Sequence, residues 1–125
     1  MTTGARGDVS IQDADHEVRL LYTNRALANA ERALGKSVIA VAQSFGTGGC
    51  GIYDVAQLLL VGMEAARQES RATGRAHTLA DAYAVMDRAG FAKTANAVME
   101  GIAAVLSYGT ETPDRFAEGG SEDPK

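Results

Sequence analysis

The stretch from residue 7 to residue 37 constrains the fold most, because it has the pattern of a β-hairpin that continues directly into a helix. Apolar and polar residues alternate on both sides of a polar turn at 13–16, which is the period of strands with one buried face. An isolated two-stranded hairpin is marginal in water, so we expect this one to pack on helices or to pair with another chain. Its predicted inward positions are Val9, Ile11, Val18, Leu20 and Tyr22.

The helix that follows the hairpin has clear signals at both ends. Thr23 or Asn24 can accept hydrogen bonds from the backbone at its start, and Gly35 can adopt the left-handed conformation that ends it. This order of elements is specific but contains no reactive groups. It therefore favours an assembly protein over an enzyme.

Apolar residues at the i, i+3, i+4, i+7 spacing of a helix predict four more helices. We expect them to begin near Ser37, Tyr53, Thr78 and Phe91, with Gly90 ending the one before the last. The predicted fold is α+β and mostly α, an N-terminal β-hairpin packed on a bundle of about four to five helices. Three residues assigned to the buried faces of these helices are Ile39, Tyr83 and Leu106.

A chain of 125 residues is long enough for one domain with a modest core. We assign residues 7–109 to that domain and residues 1–6 to a flexible N-terminus. Residues 110–125 are predicted to be a disordered acidic tail, since they contain both prolines and little apolar surface.

Two apolar stripes are the candidate sites for a partner. They lie on the third and the last predicted helix, and each has two interpretations. The stripes either fill the core or form an adaptable hydrophobic surface that receives a partner helix, and the sequence leaves both open. Their residues are Val55, Leu58, Leu59, Met63, Val98, Met99 and Ile102.

Composition and charge argue against several functional classes. The net charge of −4 disfavours a nucleic-acid partner, which would normally meet a basic surface. The longest apolar run is too short to cross a bilayer, so no membrane association is expected. A single cysteine excludes an internal disulfide, and the first residues lack a signal peptide, which predicts a cytoplasmic protein. No residue pattern indicates a cofactor.

Several short motifs suggest chemistry that their context does not support. Gly46, Gly48 and Gly51 match G-x-G-x-x-G, but a helix rather than a strand is predicted before them, which favours a hinge over a nucleotide site. Nothing in the sequence brings a histidine near Cys50, so a catalytic thiol or a zinc site is not expected. Arg6-Gly7-Asp8 spells an adhesion tripeptide and is interpreted as a polar lead into the first strand.

The aspartates also receive structural interpretations. Asp13 and Asp15 are predicted to be turn residues, because they lack the remaining ligands of a calcium loop. Asp54, Asp81 and Asp87 are expected at helix starts or on polar faces, where they need no partner.

On the order of its elements, the chain resembles the tail assembly chaperone family of long-tailed phages, in the branch shared with gene transfer agents and also described as tail-tube-associated. The resemblance covers about residues 7 to 108. The chain departs from the family pattern in its glycine-rich loop 46–51 and in its hairpin turn, where the family often carries a glycine. The matching residues are Gly7-x-Val9-x-Ile11, Val18-x-Leu20, Asn24-x-Ala26-Leu27-x-x-x-Glu31-x-x-Leu34-Gly35 and Asp54-Val55-x-x-Leu58-Leu59.

The resemblance implies a small cytoplasmic protein made during virion assembly. Such proteins coat the tape measure protein, keep it soluble and help to recruit tail-tube subunits, and a programmed frameshift often yields a longer second product. Weak, replaceable contacts suit this role, and a homo-oligomer is left open. The alternatives are a structural component of the tail tube or tail terminus, which would be found in the virion, and an unrelated helical protein-interaction module.

A charged residue introduced into the apolar stripe of the third helix tests the assignment of that stripe to the core or to a partner-binding surface. We expect Leu59→Asp either to unfold the protein or to abolish partner binding, because a carboxylate is costly at a buried or apolar contact site. Circular dichroism and a binding assay on the same preparation distinguish the two results. A folded variant with normal binding would contradict the assignment.

Overall fold

The computed structural model describes residues 5–13, 15–45, 47–48, 50–71 and 73–108. An N-terminal antiparallel hairpin is followed by five helices, which confirms the predicted α+β, mostly α fold. The predicted acidic tail and part of the glycine-rich loop lie outside the described residues. The elements are β1 (Gly7–Asp13), β2 (His16–Tyr22), α1 (Asn24–Leu34), α2 (Val38–Phe45), α3 (Ile52–Glu69), α4 (Leu79–Ala89) and α5 (Phe91–Leu106).

The hairpin is longer and its loop shorter than the sequence suggests. Pairing runs from Gly7 opposite Tyr22 to Asp13 opposite His16, so only residues 14–15 connect the strands. Asp13 is therefore the last residue of β1, and its side chain is buried. The prediction that Asp13 belongs to a polar turn is wrong. Its carboxylate can be buried at the end of β1 because Arg88, 75 residues further along the chain, pairs with it.

The helix boundaries follow from local capping, as predicted. The Thr23 hydroxyl accepts a hydrogen bond from the Ala26 amide at 3.1 Å, and Gly35 closes α1 with a φ of 73°. Ser37 caps α2 through the Ala40 amide at 2.9 Å. At the start of α4, Thr78 and the carboxylate three residues later satisfy each other's backbone amides as a capping box.

The hairpin packs on α3 and α5 through one buried aromatic ring. Tyr22 is fully buried, and its hydroxyl donates to the Leu58 carbonyl in α3 at 2.8 Å. Its ring lies against two helical glycines: a Cβ built on Gly62 would be 2.6 Å from the ring, and one built on Gly101 would be 2.5 Å away. Where β1 crosses α5, a Cβ on Gly7 would lie 2.1 Å from the Gly101 carbonyl oxygen. These three glycines allow the strands and helices to approach closely.

Three residues predicted to be buried are exposed. Ile39 is 54% exposed, since Val38 and Val41 occupy the inward face of α2. Tyr83 is 36% exposed and Leu106 is 41% exposed. Tyr83 stands beside the inward face of α4, which is formed by Ala82, Val85 and Met86, whereas Leu106 is the last residue of α5.

Added methyl groups at the two helical glycines should destabilise the fold. Overpacking a filled site costs about 1–3 kcal/mol. Alanine gains roughly 1 kcal/mol over glycine in a helix interior, so we expect Gly62→Ala and Gly101→Ala to lower the free energy of unfolding on balance. Urea denaturation followed by circular dichroism measures the change.

Gly51→Ala is the matched control, because a Cβ there meets nothing within 4 Å and the residue has a φ of −89°. It should lose less stability than either helical variant. Unchanged or increased stability in both Gly62→Ala and Gly101→Ala would show that the tyrosine ring is free to move away.

Candidate partner-binding surface

The structure places the candidate residues of the two apolar stripes inside the molecule. Six of the seven are buried, and Met99 is half-buried against the same core. The stripes of α3 and α5 therefore meet the hairpin and each other in the folded chain. Surface available to a partner has to be sought elsewhere. The six buried residues are Val55, Leu58, Leu59, Met63, Val98 and Ile102.

Helix α3 is the central element, since it packs on β2, α1, α4 and α5. Two surface depressions flank it. The first, which we call the α3–α4 cleft, lies between β2, the second half of α3 and α4, and has a volume of about 610 Å³. The second, the α1–α3 groove, lies between α1 and α3 and has a volume of about 570 Å³. Each is large enough to receive several side chains of another polypeptide.

The floor of the α3–α4 cleft is apolar, and its rim is basic. Four arginines and two histidines border it, against two carboxylates, Glu17 and Asp81. Small side chains on the floor let a bound segment approach the helix backbones closely. The floor residues are Val18, Met63, Ala66, Ala84 and Val85, and the basic residues are His16, Arg19, Arg67, Arg75, His77 and Arg88.

Arg67 is held in place by a carboxylate one turn earlier on α3. Its Nε and Nη2 donate to Glu64 at 2.9 to 3.2 Å, which is a two-pronged pair. Glu64 also accepts the His77 backbone amide at 2.6 Å, so it joins α3 to the segment before α4. The Arg67 guanidinium, followed by that amide, lowers the pKa of Glu64 below its ordinary value.

Arg75 and Asp81 form the opposite rim. The guanidinium donates to both carboxylate oxygens at 3.0 and 3.2 Å, and the same carboxylate accepts the Thr78 amide at 2.8 Å. Hydrogen bonding by Arg75 is the main cause that lowers the pKa of Asp81 to about 2, and the Thr78 amide adds to it. Asp81 therefore caps α4 and fixes an arginine at the same time.

Arg88 and Arg19 connect the hairpin to the helices. Arg88, on α4, donates through Nε to the buried Asp13 carboxylate at the end of β1. Arg19, on β2, pairs with Asp8 at 3.4 Å and lies 3.8 Å from Glu69 on α3. The Arg88–Asp13 pair joins the end of β1 to α4, and Arg19 places a further cation at the β2 wall of the cleft.

The α1–α3 groove is different in character. Its apolar lining is aliphatic, and its polar border is dominated by uncharged amides and mixed charges. Arg25 is opposed by Glu64 and Glu69, so the charged residues of its border include more carboxylates than cations. The apolar residues are Leu21, Ala26, Ala33, Leu60, Val61 and Ala65, and the amides are Asn29, Gln57 and Gln68.

The single cysteine does not have the properties of an activated thiol. Cys50 is half-buried, and both burial and the nearby Asp54 carboxylate raise its pKa above the ordinary value. Within the described ranges, no group of three or more metal-ligating side chains could hold an ion. No helix in the described part of the chain is both long and apolar enough to span a membrane.

Two aspartates that were expected to need no partner have one. Asp54 is buried, pairs with Lys36 at 3.2 Å and accepts the Gly51 amide at 3.4 Å. Asp81 pairs with Arg75 as described above. The sequence pattern does not indicate the arginine rim, because its members lie on β2, α3, α4 and the segment before α4, which only the fold brings together. The one local signal was the three-residue spacing of Glu64 and Arg67.

Comparison with known proteins gives no match: no family model, curated protein or solved structure is significantly similar to this chain. The geometry of the surface is therefore the basis for assigning a function.

The depressed pKa of Asp81 predicts a stability loss in acid. A carboxyl whose folded-state pKa is near 2 stabilises the fold above its ordinary pKa of 3.8, and this contribution disappears as the pH falls toward 2. We expect the melting temperature to be flat above about pH 5 and to drop below about pH 4. Asp81→Asn should melt lower at neutral pH and show a shallower drop.

Asp87→Asn is the control for this experiment. Asp87 is also on α4, but it is exposed and has no hydrogen bond or ion pair to the described residues. Its variant should follow the wild-type pH curve. If Asp81→Asn gave the same curve of melting temperature against pH as the wild type, Asp81 would not be a source of the acid sensitivity.

Proposed function

We propose that the protein is a phage or gene-transfer-agent tail assembly chaperone. In this role it binds the tape measure protein and helps to recruit tail-tube subunits. The proposal combines the resemblance of residues 7–108 to that family with the surface found on the folded chain. It assigns no catalytic reaction and no cofactor.

The observation that carries the proposal is the pair of open depressions beside α3. A chaperone of this kind must cover apolar side chains of a long polypeptide and then release them to another subunit. The α3–α4 cleft and the α1–α3 groove provide small apolar floors with polar borders. Depressions of about 610 and 570 Å³ hold a few side chains each, which suits weak, replaceable binding better than a permanent interface.

A structural component of the tail is the alternative. The two-stranded sheet supports it to the extent that its edges could pair with strands of neighbouring subunits. A closed tube generally requires more β-structure than the hairpin that the described residues contain. An unrelated helical interaction module is the second alternative.

Quantitative mass spectrometry of producing cells and purified particles separates these functions. We expect many copies of the chain in the cell lysate and almost none in particles, because a transient binder leaves when the tube replaces it. Affinity capture of the tagged chain from the same lysate should recover the tape measure protein.

Many copies per particle would instead identify a structural tail component. Detection only in cells that make no particles would contradict the phage assignment and leave the helical interaction module. Placing the affinity tag on a surface residue away from both depressions ensures that the tag itself does not block partner binding.

A further inference from the structure

We propose that the α3–α4 cleft selects polypeptide segments in which apolar side chains are flanked by carboxylates, whereas the α1–α3 groove, with two carboxylates and one arginine, does not favour such segments. The inference relies on the proposed function only for the identity of the natural partner. The chemical preference itself follows from the residues that border the two depressions.

The arginine donors at the cleft are pre-organised. Carboxylates that do not border the cleft, Asp13 and Glu64, hold two of the guanidiniums. Among the described residues, Arg88 donates only through Nε, to Asp13, and Arg67 donates through Nε and Nη2, to Glu64. The two terminal NH2 groups of Arg88 and the Nη1 group of Arg67 are therefore open to a ligand. Side chains fixed in this way lose little entropy when a partner carboxylate binds, and charge-assisted hydrogen bonds are the stronger kind.

In the ion pairs of Arg88 and Arg75, the arginine is more exposed to solvent than its carboxylate partner, which also favours a ligand that carries carboxylates. Arg88 is 50% exposed while its partner Asp13 is 3% exposed, so the positive member of the pair faces solvent. Arg75 is 71% exposed and Asp81 is 28% exposed. At both rims, an approaching segment meets guanidinium groups before it meets carboxylates.

The apolar floor limits which acidic segments fit. Val18 and Ala84 are half-buried and offer a contact for aliphatic or aromatic side chains, while the other floor residues, Met63, Ala66 and Val85, are buried. A purely acidic peptide would leave Val18 and Ala84 uncovered, and a purely apolar one would leave the guanidiniums without new partners. Glu17 is the one bordering carboxylate without an ion pair or hydrogen bond to the described residues, and it opposes an acidic ligand.

Three synthetic peptides of about 16 residues test the preference. They share leucines at helical spacing and carry glutamate, glutamine or lysine at the flanking positions. Titration of the full chain, followed by calorimetry and by methyl NMR of Met63 and Val85, gives the affinity and the location. We expect the glutamate peptide to bind about tenfold more tightly than the lysine peptide and to shift the cleft methyl signals.

Four variants make the test specific. Arg75→Gln and Arg88→Lys should each weaken glutamate-peptide binding about five- to tenfold, and Arg88→Lys keeps a positive charge beside Asp13 so that the fold is retained. Glu17→Gln should strengthen binding about two- to threefold, since it removes the opposing charge. Arg25→Gln alters an exposed arginine at the α1–α3 groove and should leave the affinity unchanged.

Several outcomes would overturn the inference. These are equal affinity for the glutamate and lysine peptides, no binding of the glutamate peptide, or signal shifts at Leu60 and Val61 instead of at Met63 and Val85. Thermal melts of all variants establish that they are folded. If the chain binds the glutamate peptide selectively but mass spectrometry finds it in particles, the cleft preference holds and the chaperone function is rejected. If the chain is absent from particles but binds all peptides equally, only the cleft preference is rejected.

Discussion

The contact of Tyr22 with two helical glycines is the constraint on which the rest of the structure depends. The ring fills the space that side chains at Gly62 and Gly101 would occupy, and its hydroxyl satisfies a buried position by donating to the Leu58 carbonyl. Burial of a large aromatic ring contributes a few kcal/mol, and a typical hydrogen bond adds about 1 kcal/mol. The end of β2 is thereby fixed against α3 and α5 together, which a hairpin could not achieve alone.

The candidate surface follows from that placement. Once Tyr22 fixes one end of the hairpin, the Asp13–Arg88 pair fixes the other end to α4. Both contacts join residues that are far apart in the chain and near each other only in the fold. Because β2, α3 and α4 form the walls of the α3–α4 cleft, its shape is a consequence of hairpin docking. A partner that binds the cleft therefore contacts the part of the molecule where these elements meet.

Ion pairs have two roles here that differ with burial. Asp13 and Asp54 are buried carboxylates, and each would be costly without the cation that reaches it from a more exposed position. At the cleft rim, the ion pairs of Arg67 and Arg75 contribute modestly to stability, and they hold these arginines in defined orientations. The same kind of contact thus supports the fold in one place and presents donors in the other.

The sequence by itself determined the element order and the helix boundaries, since Thr23, Ser37, Thr78 and Gly35 act on backbone groups within a few residues of themselves. Helical spacing also predicted which face of α3 is apolar. It did not determine what that face meets, because periodicity is the same for a core and for a binding surface. Only the tertiary structure decided that Leu59 and Ile102 are core, that Tyr83 is exposed and that scattered arginines border one cleft. Contacts between residues as distant as Asp13 and Arg88, which lie 75 positions apart, depend on how the hairpin docks on the helices, and no local pattern specifies that docking.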